Sequence, residues 1–217
     1  MSRAQFITLE GIEGAGKSTV AKYVADYLAG QGLAVRLTRE PGGTPLAERV
    51  RRIVLERGTE QVSAVTETLL MFAARALHVD NVIGPALLAG QWVVCDRFTD
   101  ATRAYQGSGR GVDPVLIESL ARAVHPQLVP DCTLLLDLPV AAGLARARER
   151  VGGGGSGGGG GADRFEAEAA SFFERVRAGY LALARREPGR VHVIDAAAPL
   201  SEVQRQVADI LARLPRS

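Results

Sequence analysis

The chain has 217 residues, a formal net charge of +2 and 47% apolar residues. That length suits one α/β domain with a sizeable core, and the near-neutral charge argues against a nucleic-acid or anionic-membrane partner. There is no apolar run of about 18 residues and no signal peptide, so the reading is a cytoplasmic protein with no membrane partner.

The first unit is a strand over 5–10, a glycine-rich turn and a helix over 17–30 that stops at Gly30 and Gly32. A second strand over 34–38 runs into the turn Arg39-Glu40-Pro41-Gly42-Gly43-Thr44, and Pro45 opens a helix over 45–57. A long helix spans 65–88, with a break expected near Gly84-Pro85. A third strand over 91–96 ends in Asp96-Arg97-Phe98. A short helical piece over 100–106, a glycine-rich turn over 107–111 and a helix over 114–124 follow. The remaining elements are a strand over 132–138, helices over 140–150 and 164–186, a strand over 191–194 and a helix over 200–213. Cys95 and Cys132 fall in predicted buried strands, and three scattered histidines make no zinc motif. Strands alternating with helices imply one five-stranded parallel sheet covered on both faces, with every strand's C-terminal end on one edge, where ligands bind.

The turn after the first strand reads Gly11-Ile12-Glu13-Gly14-Ala15-Gly16-Lys17-Ser18 and fits G-x-x-x-x-G-K-[ST], the P-loop. A strand, a glycine turn and a helix N-terminus aim backbone N–H groups at a phosphate chain. Gly11, Gly14, Ala15, Gly16, Lys17, Ser18 and Thr19 are the candidate ATP-phosphate ligands. Lys17 would reach the β- and γ-phosphates, and Ser18 would hold Mg²⁺. Asp96 has the look of an acidic residue ending a Walker B strand, acting on Mg²⁺ through water. Asp137, after Thr133-Leu134-Leu135-Leu136, is a rival; Arg97 beside Asp96 favours the former. N-K-x-D is impossible, since the only asparagine is Asn81 and Val82 follows it, so a GTPase is excluded. A small kinase fits, with Arg39, Arg51, Arg75 and Arg97 suggesting a second anionic pocket. Other acceptors, or a non-catalytic ATP-binding module, stay open on these residues alone.

Ordered along the chain, Gly11–Thr19, Thr38–Thr44, Phe72-Ala73-Ala74-Arg75, Asp96-Arg97-Phe98, Ala104-Tyr105-Gln106-Gly107 and Asp163-Arg164-Phe165-Glu166 resemble bacterial thymidylate kinases. The resemblance implies a P-loop NTPase fold in one nucleoside monophosphate kinase domain, the reaction ATP + dTMP → ADP + dTDP with Mg²⁺, and a homodimer. It implies thymine stacked on Phe72, with Arg75 and Thr102 bonding its edge. It also implies deoxyribose against Tyr105 with Gln106 nearby, Glu13 by the 3′-hydroxyl, and Arg97 and Arg51 on the acceptor phosphate. The P-loop holds no arginine, so the chain resembles the subtype whose lid supplies one. Arg150 is the first candidate, with Arg146, Arg148 and Arg164 beside it. The Gly-rich tract over 152–161 falls where that lid, at about 146–166, belongs, and its composition is that of a flexible linker.

Overall fold

The computed structural model describes residues 4–55, 61–151 and 160–215; at 150, 151 and 160–168 only the backbone is described. Five parallel strands form one sheet in the order β2-β3-β1-β4-β5: β1 is Phe6–Glu10, β2 Val35–Arg39, β3 Trp92–Asp96, β4 Cys132–Asp137 and β5 Val191–Asp195. β1 is buried along its length, and β3 and β4 are buried but for their terminal Asp96 and Asp137. This is why they read as unbroken apolar runs, whereas the edge strands β2 and β5 are only partly covered.

Helices cover both faces. α1 (Lys17–Gly30) packs on one side, where Val20, Val24 and Leu28 join Ile7, Leu9 and Leu134 in the largest apolar cluster. α2 (Pro45–Leu55) follows the β2 turn, and α3 (Ala64–His78) is capped by the Ser63 hydroxyl, which accepts from the Thr66 N–H. After α3 the helix widens into a π segment over Val79–Ile83 before α4 (Gly84–Leu88). The break therefore begins ahead of Gly84-Pro85. Pro85 has no N–H to donate and its ring crowds the carbonyl four residues back, and the wider register absorbs both, with the Gly84 N–H reaching the Val79 carbonyl.

The same device recurs beyond β3. α5 (Thr99–Thr102) runs on into a π segment over Arg103–Gly109, where the sequence suggested a turn after residue 106. Close packing explains the difference. Any side chain at Gly109 would strike Phe172 and Val176, so the missing Cβ atoms let the neighbouring helix lie directly on this segment. α6 is Pro114–Val124 and α7 is Val140–Val151. α8, Gly160–Arg186, begins four residues earlier than expected, within the last two residues of the glycine tract; α9 is Leu200–Leu211. Residues 152–159 of that tract lie outside the described residues. Among the described residues no helix is long and apolar enough to cross a membrane.

Candidate active site

The C-terminal ends of β1, β2 and β3 meet at one edge of the sheet and open on a cleft of about 480 Å³. Gly14, Gly16, Lys17, Ser18 and Thr19 line it, while Ala15 and Gly11 lie beneath. Gly14 and Gly16 take left-handed φ values of 78° and 87°, which only glycine adopts at little cost. A side chain at Gly11 or Gly14 would also run into the backbone of Leu136 or Gly143. Lys17 Nζ donates to the Ile12 carbonyl at 2.8 Å. Burial, reinforced by the charge of Arg97, pushes its ammonium down to about 7. The Ser18 hydroxyl donates to Asp96 Oδ2 at 2.8 Å, which brings the P-loop and the end of β3 together. The rival Asp137 is held instead by a bidentate pair with Arg177, at 2.7 and 2.8 Å.

Arg97 occupies the far wall. Its backbone is left-handed, φ 74°, a conformation that costs a non-glycine residue about 1 kcal/mol or more. Nη2 donates to Glu13 Oε1 at 3.1 Å and to the Tyr105 hydroxyl at 2.9 Å, and Nη1 to the Tyr180 hydroxyl at 3.2 Å. The guanidinium also lies 4.6 Å from the centre of the Tyr105 ring. Tyr105 donates to Glu13 Oε2 at 2.7 Å. Arg51 reaches the Pro41 carbonyl from α2, and Arg39 is paired with Glu48.

Beneath Arg97, Tyr180 donates to Glu10 Oε2 at 2.7 Å, and the Phe98 N–H donates to Oε1 at 2.8 Å. Burial, with the nearby charge of Asp100, raises the Glu10 carboxyl from an ordinary 4.5 to about 8. The folded chain thus keeps a proton that the unfolded chain has released, and stability falls as pH rises from about 4.5 to 8 and levels off above. Glu10→Gln removes that slope. Its melting temperature at pH 8 is expected to exceed that of the parent by about 3 °C or more, with little difference at pH 5. Parallel melting curves at both pH values would disprove a protonated Glu10.

The structure redistributes several expected site residues. Phe72 is 2% exposed, and its ring packs with Val112, Ile117 and Ala121 in the α3–α6 core. Met71, one residue earlier, lines the cleft. Arg75 and Thr102 are buried behind the wall and bonded to each other, Arg75 Nη2 donating to Thr102 Oγ1 at 3.1 Å. Arg75 Nη1 has no partner, and neither has the carbonyl oxygen of Gln106, whose amide nitrogen donates to Glu67. Glu67 also pairs with Arg110, and both line the cleft although the sequence reading passed over them. Glu67, Met71 and Arg75 recur at i, i+4 along α3, and the i, i+3 pair Phe72 and Arg75 is in contact, the guanidinium lying 4.7 Å from the centre of the Phe72 ring. On α7, Arg146 donates to the Ala196 carbonyl at 3.0 Å and Arg148 is exposed. The side chains of Arg150 and Arg164 lie outside the described residues.

A P-loop, an acidic strand end bonded to its serine, and an arginine pocket on the opposite wall define a P-loop phosphotransferase. A family model described as thymidylate kinase matches residues 9–207. The thymidylate kinase of Pseudomonas putida is 56% identical over 206 residues, 95% of either chain, and that of Methylococcus capsulatus is 53% identical over 208 residues, 96% of this chain and 95% of its own. Among solved structures, thymidylate kinase from Ehrlichia chaffeensis superposes with a TM-score of 0.75 at 33% identity, covering 96% of this chain and 98% of that one. The chain belongs to the thymidylate kinase family.

Proposed function

We propose that the two walls of this cleft divide the reaction of the family, ATP + dTMP → ADP + dTDP, between a donor side at the P-loop and an acceptor side at Arg97. The observation that carries the assignment is that Lys17, the Ser18–Asp96 pair and the Glu13–Arg97–Tyr105 cluster open on one cavity. On the donor side, Gly14, Gly16, Lys17, Ser18 and Thr19 take the ATP phosphates, with Gly11 and Ala15 shaping the loop beneath. Ser18 and Asp96 offer a hydroxyl and a carboxylate, the hard oxygen donors that Mg²⁺ prefers, and would hold the ion there, Asp96 through water. Mg²⁺, when bound there, neutralises phosphate charge.

On the acceptor side, Arg97 and Arg51 hold the dTMP phosphate, whose oxygen is already anionic near neutral pH, so no general base is needed. Tyr105 packs the deoxyribose, leaving no room for a 2′-hydroxyl, and Glu13 approaches the 3′-hydroxyl. Met71 takes over as the base platform from Phe72. The unpartnered Arg75 Nη1 and Gln106 carbonyl supply the unsatisfied polar groups that a pyrimidine edge would meet, with Thr102 bracing Arg75. Arg146 and Arg148 on α7 would bring positive charge to the transferred phosphoryl group, the role expected also of Arg150 and Arg164, whose side chains lie outside the described residues. The protein acts in the cytoplasm as a homodimer; Leu46, Ile53 and Leu55 on α2 and Val65 and Leu69 on α3 leave apolar surface for a second copy.

The test is phosphoryl transfer from Mg·ATP to a panel of dTMP, dUMP, dCMP, UMP, AMP, GMP and thymidine. Turnover of dTMP, with weaker dUMP, is the expected outcome. Preference for another acceptor would remove the roles given to Met71, Arg75 and Tyr105, and ATP binding without transfer would remove the catalytic assignment.

A further inference from the structure

We propose that His78 is a positioning residue for the acceptor base: through Glu40 it holds the Arg75 guanidinium in the orientation that leaves one NH₂ group for the pyrimidine's 4-position. The inference rests on the reading that Arg75 faces the base.

The chain of contacts is continuous and dry. His78, Glu40 and Arg75 are 0%, 5% and 3% exposed. His78 Nδ1 lies 3.0 Å from Glu40 Oε1, and Arg75 Nε donates to Glu40 Oε2 at 2.7 Å. One carboxylate is therefore shared between the two, an oxygen to each. On its other side His78 Nε2 lies 2.7 Å from the Thr38 hydroxyl. A carboxylate only accepts, so the tautomer that satisfies both neighbours carries its proton on Nδ1 and accepts from Thr38 through Nε2. Arg75 spends Nη2 on the Phe98 carbonyl and on Thr102, and Nη1 alone has no partner.

The β2 turn is built around this ring. Gly43 has a left-handed φ of 88°, and a Cβ there would collide with the His78 imidazole. Substituting that glycine is thus excluded twice, once by backbone and once by the histidine. The turn motif and the end of α3 are two halves of one clamp on Glu40.

The consequence is selectivity. Thymine presents an acceptor at position 4, whereas cytosine presents an amino donor, so a fixed guanidinium N–H welcomes the first and opposes the second. If Glu40 loses one of its two holders it can swing, and the Arg75 fork loses its fixed aim.

The experiment compares His78→Leu, His78→Asn, Thr38→Val and Arg75→Ala in steady-state kinetics with dTMP and dCMP as acceptors. His78→Leu is expected to raise KM for dTMP about five- to tenfold, with kcat and the KM for ATP within about twofold, and to lower the dTMP:dCMP ratio of kcat/KM. His78→Asn keeps a donor toward Glu40 and should recover most of that loss. Thr38→Val should shift KM for dTMP the same way by a smaller factor, and serves where the leucine variant does not fold. An unchanged KM and ratio in His78→Leu or, failing that protein, in Thr38→Val overturns the proposal, as does an asparagine variant no better than leucine. Arg75→Ala separates the two ideas: if it too leaves dTMP binding unchanged, the base-reading role of Arg75 has failed; if it alone weakens dTMP, only the role of His78 has.

Discussion

Lys17→Met should leave phosphorylation of dTMP at about a thousandth of the parental kcat, the size of effect seen when a preorganised charge aimed at the transferring group is removed. Lys17 leaves the P-loop at the first residue of α1, and its chain is buried against the loop, so methionine roughly replaces its volume while deleting the charge and the hydrogen bond to the Ile12 carbonyl. The same residue makes nucleotide binding depend on pH. Without a phosphate partner its ammonium sits at about 7, lowered first by burial and then by Arg97. A polyphosphate beside it restores the ordinary high value, so Mg·ATP binding takes up a proton above pH 7. Affinity then falls as pH rises beyond 7, while below 7 the ammonium is already formed and this contribution flattens. Titration calorimetry at pH 8 in buffers of different ionisation heat should report uptake approaching one proton, and none in Lys17→Met. Equal uptake in both proteins would place the titrating group elsewhere.

Arg97→Ala carries the second large effect, a loss of about a hundred- to a thousandfold in kcat/KM for dTMP with the KM for ATP nearly unchanged. Arg97 combines three hydrogen bonds, to Glu13, Tyr105 and Tyr180, with a stacked tyrosine ring, and so presents its fork in a single orientation. Alanine leaves Glu13 unneutralised on the wall proposed for the acceptor phosphate, which adds repulsion to the lost attraction. Arg97→Lys is the sharper version. A lysine keeps the charge but has no planar fork to bridge phosphate, Glu13 and the phenols together, so it should recover less than a tenth of the parental value. Kinetics within about threefold of the parent for the lysine variant would show that charge alone suffices.

Much of this was legible in the chain. The P-loop can be read because its backbone demands glycine at fixed places and its chemistry is local, and the alternation of strand and helix patterns gives the parallel sheet and the edge where β1, β2 and β3 end. The meeting of Ser18 with Asp96 follows from that topology. Other features were out of reach for physical reasons. Met71 and Phe72 are both apolar and adjacent, and only the packing of α3 on α6 decides which one turns to the core. The Thr38–His78–Glu40–Arg75 chain joins residues up to forty positions apart through side chains alone. The two π segments were missed because helical periodicity is read at 3.6 residues per turn, and a wider turn leaves no periodic trace of its own.

The π segment over Arg103–Gly109 has a further meaning. Each residue in a wider turn rotates by a smaller angle than in an α-helix, so Tyr105 and Gln106, neighbours in sequence, both stand on the cleft wall. A chain one residue shorter here would tighten the turn and carry one of the two off the cleft wall. The wall is specified by a count of residues as much as by their identities.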